Sequence, residues 1–198
     1  MKKILAVLLL TALMVYMSMP VMAYDYYQET LGEAILREDG LLLVSGFGLT
    51  EDSLDEVLLY IEEAEIYDLR TGFAVGAEAI YEGDCVRVVY EVETDGNETG
   101  HALARALEIY VHAGEQDAAD FMVVVSDNIW YSDEGCVFVT IDGKYRVTLD
   151  DDTMLLDAYG YEMSYDDIVP GMEMFVWAAT VTASFPGQVV PDKIVLLN

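Results

Sequence analysis

Basic side chains are scarce in this chain. It has 198 residues, with 9 lysines and arginines against 37 aspartates and glutamates and a formal net charge of -28. Such a surface repels a phosphate backbone, which excludes nucleic acid as a partner. Histidine and cysteine are equally sparse: His101, His112, Cys85 and Cys136 are the whole supply, at no spacing that builds a zinc or copper site. Neither Ser126 nor Ser184 sits in a Gly-x-Ser-x-Gly elbow, and no glycine-rich loop reads as a phosphate cradle. The acidic runs Asp150-Asp151-Asp152, Asp166-Asp167 and Glu62-Glu63 lack the alternating carboxylates, the turn glycine and the closing glutamate of a helix-loop-helix calcium loop. Among so many acids, carboxylate pairs arise by chance, and the sequence prefers none of them for glycoside hydrolysis. These absences together predict no catalytic, cofactor-binding or metal-binding residues.

Apolar residues, in contrast, are plentiful. The chain is 54% hydrophobic and 11% aromatic, enough apolar surface to offset the entropy of folding. Lys2 and Lys3 precede an apolar run over residues 4–15, and Val21, Met22 and Ala23 suit signal-peptidase recognition, which predicts cleavage after Ala23. A retained membrane helix is the competing reading. Ser18 and Pro20 interrupt the run and no basic stop-transfer cluster follows, so no stable membrane insertion is expected once the leader is removed. The expected location is extracellular, free or held at the cell surface. The acidic charge then serves solubility and mutual repulsion, with attraction of cations or basic partners as the alternative.

The remainder reads as one unit written twice. Gly72 and Gly83 are 11 residues apart, as are Gly160 and Gly171, and Phe73, Val75, Ile80, Val86 and Val88 coincide with Tyr161, Met163, Ile168, Met174 and Val176. Asp68 and Asp157 stand just ahead of the first glycine of each copy. The domain organisation predicted is a signal peptide over 1–23, an N-terminal arm over 24–33, a first repeat over 34–114 and a second over 115–198.

Within each unit the hydrophobic period is two, the period of strands. Cys136-Val137-Phe138-Val139-Thr140-Ile141, Asp142-Gly143 and Lys144-Tyr145-Arg146-Val147-Thr148-Leu149 predict a hairpin with a type I′ turn, pairing Phe138 with Val147 and Cys136 with Leu149. One side of this ribbon is core. The other mixes Val137, Val139 and Ile141 with Lys144, Arg146 and Thr148, and is expected to be half covered. Further strands are expected over 41–45, 57–61, 66–68, 86–92 and 106–111, and over 121–126, 153–156, 173–181 and 189–197, with a helical turn over 76–81 and 164–169. The fold class predicted is all-β: two tandem small β-barrels, OB-like, each with one short helical turn. A small open sandwich is the runner-up.

Thr153-x-x-x-Asp157, the glycine turn, Ile168 before Gly171, a long strand, then Thr182-Ala183-Ser184-Phe185-Pro186-Gly187-Gln188 and Lys193-Ile194-Val195 resemble a repeat in secreted proteins of Firmicutes-type bacteria, where it often lies beside copper amine oxidase-like N-terminal domains. That repeat ends Met-Thr-x-Ser-x-Pro-Pro-Gln before its last strand. Here Val181 replaces the methionine and Gly187 the second proline, and the first unit keeps only the middle of the pattern, over 66–88. The resemblance implies an exported bacterial module with no established chemistry.

Register places Cys85 on the side of its strand away from Val86, Val88 and Tyr90 while Cys136 points into its own core, so two free thiols are expected instead of a disulfide. The same reasoning puts Phe175 and Trp177 on an outer face, as candidate contact residues alongside Tyr24, Tyr26 and Tyr27 near the new N-terminus. The function expected is a secreted or cell-surface, non-enzymatic binding module whose partner is an extracellular protein or a glycan. An extracellular hydrolase using a carboxylate pair between the two units is the alternative.

Overall fold

The computed structural model describes residues 27–36, 40–94, 101–132 and 135–197. The expected leader, Tyr24 and Tyr26 lie outside the described residues.

The chain forms two closed, five-stranded β-barrels of OB-like order. In the first, β1 (Gln28–Leu36), β2 (Leu42–Gly48) and β3 (Glu56–Tyr60) are followed by β4 (Glu65–Asp68), β5 (Phe73–Ala74), a 3-10 turn at Ala77–Ala79, β6 (Cys85–Thr94) and β7 (Ala102–Val111). Antiparallel pairing runs from β3 through β2, β1 and β6 to β7, and parallel pairing of β3 with the first half of β7 closes the barrel. Outside the ring, β4 takes the second half of β7, also in parallel. The second barrel repeats this with β8 (Phe121–Ser132), β9 (Gly135–Thr140), β10 (Tyr145–Leu149), β11 (Met154–Asp157), a 3-10 turn at Tyr165–Asp167, β12 (Glu173–Val181) and β13 (Gly187–Leu196). There β10 and β13 close the ring in parallel and β11 adds to β13. Closure leaves no ring strand with an unpaired edge, which is how a small all-β unit avoids edge-to-edge association. The boundary between the compact units falls between Gln116 and Asp117.

The sequence repeat is a structural repeat. Val86 and Val88 pair with Val111 and Ile109, while Ile66 lies beside Ile109; Met174 and Val176 pair with Leu196 and Ile194, while Leu155 lies beside Ile194. All ten are buried in the two barrel cores. Each 3-10 turn ends on an isoleucine whose side chain plugs its barrel, Ile80 in one and Ile168 in the other. The next glycine, Gly83 or Gly171, has φ of +90° or +87° and donates its N–H to Ala34 or Val125 of the first strand. An L side chain rarely adopts that backbone, and so glycine recurs at this point in both copies. Asp68 and Asp157 also act alike: each carboxylate accepts the N–H of the residue two positions on, Arg70 at 3.0 Å and Tyr159 at 2.9 Å, which starts the turn into the glycine.

Three expectations need correction. Residues 28–33 are not an arm but the first part of β1. Thr30 is fully buried, bonded to the hydroxyl of Tyr90 at 3.0 Å and donating to the Leu54 carbonyl at 2.5 Å, so polar residues that suggest a free segment have internal partners. The turn after β9 keeps the expected register but is not type I′. Gly143 has φ +69° whereas Asp142 does not have a positive φ, and the N–H of Gly143 bonds to the Thr140 carbonyl. Asp142 instead accepts from the Thr140 hydroxyl at 2.5 Å and the Lys144 N–H at 3.0 Å, and its carboxylate bracing replaces the second left-handed residue. Finally β8 runs on to Ser132, past its expected end, through a register shift between Val125 and Ile129. Among the described residues no helix is long and apolar enough to cross a membrane.

Candidate functional site

Alternation puts Ile129 of β8 inward, opposite Phe138, and its neighbour Trp130 outward, opposite Val137. On the same outer face Val137 pairs with Thr148, Val139 with Arg146, and Arg146 lies beside Gln188 of β13. The indole of Trp130 is 54% exposed, and the Arg146 guanidinium carbon lies 5.9 Å from its ring centroid. Val137 and Val139 between them are half-buried, so the face is an apolar strip with an aromatic plate at one end and a planar cation across it. The expected half-covered side of this hairpin is thus observed.

The electrostatics of this face are unusual for so acidic a chain. Lys144 is bridged to Asp142 at 3.1 Å, whereas among the described residues no carboxylate lies within ion-pair distance of Arg146. Burial raises the Asp142 carboxyl, but the bonds from Thr140 and Lys144 outweigh it and hold the group below its ordinary value. Gln188 donates its side-chain amide to the Pro186 carbonyl at 3.1 Å. Among the described residues its carbonyl end makes no such bond.

The aromatic pair singled out by the sequence is placed differently. Phe175 does face away from the core, between Met174 and Val176, yet its exposure is 0%. Its cross-strand partners Met122 and Val195 are also buried, so the outward direction of the side chain does not translate into access to water. Trp177 is half-buried: its Nε1 donates to the Asp117 carbonyl at 3.2 Å, the Lys193 ammonium lies 4.0 Å from its ring centroid, and it meets Phe175 edge-on. Neither is the expected exposed platform. Tyr27 is half-buried at a cleft of the first barrel of about 330 Å³.

That cleft holds Glu63, Glu65, Arg105 and Glu108. Glu65 and Glu108 are direct neighbours across the β4–β7 pair, and each accepts a tyrosine hydroxyl, from Tyr67 at 2.9 Å and from Tyr110 at 2.5 Å. Burial pushes the Glu108 carboxyl up, against the lowering effects of Tyr110 and Arg87. Beside it Arg87 donates from Nε and a terminal nitrogen to one oxygen of Glu29, at 3.1 and 2.9 Å, and both residues are buried.

No family model, curated protein or solved structure matches the chain. What remains is chemistry read from the side chains themselves. His101 approaches Glu56 at 3.6 Å and His112 approaches Glu115 at 3.0 Å, and among the described residues no three His, Cys, Asp or Glu side chains gather at metal-ligand distance. Ser184 donates its hydroxyl to the Pro186 carbonyl. Cys85 and Cys136 are free, half-buried and buried respectively, and burial pushes both thiols up to about 11. At neutral pH almost no thiolate is present, so neither is an activated nucleophile.

Trp130 and Arg146 were not identified as a site by sequence reasoning. The available signal was Ile129-Trp130-Tyr131, three strand formers directly before a turn. The polar Ser126-Asp127-Asn128 at the register shift hides their membership of β8, although the inward alternation of Phe121, Val123 and Val125 resumes in phase at Ile129.

Proposed function

We propose that the chain is an exported, non-enzymatic binding module whose contact surface is the outer face of β8, β9 and β10. One observation carries this reading: an exposed indole is held against a guanidinium that has no carboxylate partner among the described residues, although the chain has 37 acids. Desolvating that plate and pairing that cation is favourable only when something docks there. The location is the face on which OB-like barrels take extended ligands, which adds support by analogy of fold. The leader-like N-terminus and the resemblance to repeats of secreted bacterial proteins support an extracellular setting.

The test is retention of the purified protein on washed, insoluble bacterial envelope material. Wild type is expected to be retained and Trp130→Ala to be washed through with its circular dichroism unchanged. Equal retention of the two proteins overturns the reading.

A second reading has one specific observation behind it, the Glu65–Glu108 pair with the Glu108 carboxyl raised by burial. A carboxyl raised by burial next to a second glutamate is the kind of pair that glycoside cleavage uses. Turnover of a polysaccharide that Glu108→Gln abolishes would establish that hydrolase in place of the binding module.

A further inference from the structure

We infer that the ligand of the β8–β9–β10 face is a short oligosaccharide carrying one carboxylate, stacked on Trp130 with its acid group on Arg146. The inference rests on the binding-module reading and adds the chemical class of what is bound. Extended ligands of OB-like barrels are oligonucleotides and oligosaccharides. At a net charge of -28 the first class is repelled, phosphate by phosphate.

The face has the parts the second class needs. A pyranose ring presents an apolar face of C–H bonds that suits an exposed indole, and Val137 and Val139 extend that strip. The Arg146 guanidinium lies over the Trp130 ring, its central carbon 5.9 Å from the centroid, and presents a planar fork of donors that takes a carboxylate through two parallel bonds. Of the two cations on this hairpin, Lys144 is already neutralised by Asp142, so the charge left for a ligand is that of Arg146. Gln188, in register with Arg146, has its amide committed to Pro186, which leaves its side-chain carbonyl as an acceptor for a sugar hydroxyl. A single acid group matches a single cation, and a ligand with many would meet the field of the whole chain.

The experiment is a titration of the full chain, followed by tryptophan fluorescence, with xylotriose bearing one glucuronic acid and with xylotetraose as its uncharged counterpart. The acidic sugar is expected to quench the emission and to bind at least tenfold tighter than the neutral one. Arg146→Gln is expected to erase that difference while leaving weak stacking, and Trp130→Ala, followed by isothermal titration calorimetry because the fluorescent ring is itself removed, to lose binding of both sugars. Both side chains are exposed, so circular dichroism of the variants should match wild type.

Equal binding of the two sugars, an unchanged Arg146→Gln, or no binding of either sugar overturns the inference. If it fails while Trp130→Ala still abolishes retention on envelope material, the class of ligand is wrong and the contact face stands. If Trp130→Ala has no effect in either assay, both fall.

Discussion

Truncating Ile168 to alanine tests the claim that each barrel is closed by the same plug. The side chain is 0% exposed and follows directly on the 3-10 turn Tyr165–Asp167, and the Ile168 carbonyl accepts the Tyr131 hydroxyl at 2.5 Å. The backbone is therefore pinned and the site cannot collapse onto the space left behind. Removing three carbons forfeits about 2.4 kcal/mol at about 0.8 kcal/mol per carbon. A residual cavity of about 50 Å³ adds about 1.2 kcal/mol, for a loss near 3.5 kcal/mol. With a urea slope of about 1.5 kcal/mol/M, the midpoint falls by about 2 M. Both tryptophans, Trp130 and Trp177, belong to the second barrel, so fluorescence-detected urea unfolding reports on it directly. Should the alanine variant fail to fold, Ile168→Val, expected to cost about 0.5–1.5 kcal/mol, carries the test. Ile80→Ala, at 3% exposure in the equivalent position, should cost as much when followed by circular dichroism. A cost below about 1 kcal/mol for Ile168→Ala would refute the plug, since only a site that refills or was never closed loses so little.

Two further predictions concern the first barrel. Arg87→Met leaves the Glu29 carboxylate buried without its guanidinium and should destabilise by about 3–5 kcal/mol, while Glu29→Leu with Arg87→Met should recover most of that loss; a double-mutant cycle in urea measures it, and additive losses refute the pairing. Burial raises the Glu108 carboxyl, so the folded state holds that proton more tightly than the unfolded chain, and stability falls as pH rises from below the ordinary carboxylate value through the raised one. Glu108→Gln should therefore gain stability relative to wild type as pH rises through that window and show no gain below it, measured as thermal midpoints from pH 3 to 7; a pH-independent difference counts against the raised carboxyl.

Much of the fold is legible because strands are local objects. Val86, Val88, Met174 and Val176 alternate with outward residues, glycine recurs where a left-handed turn is required, and the two copies share both signals at a fixed spacing. From these the repeat and the barrel class follow without coordinates, whereas β1, read as an arm, and the short β5 do not. The parts that were not legible share a different origin. Asp142 stays out of the left-handed region because Thr140 and Lys144 brace its carboxylate, a choice among hydrogen bonds that a dipeptide does not display.

By itself, then, the sequence determined which residues point to which face of each sheet, because a period of two is a property of the extended backbone alone. Which outer face meets water was decided by tertiary structure. Phe175 and Trp130 are both outward aromatics on alternating strands, yet the first is fully buried and the second exposed. Burial is set by what packs over a face and how strands bulge into register, and those distances are established between segments far apart in the chain.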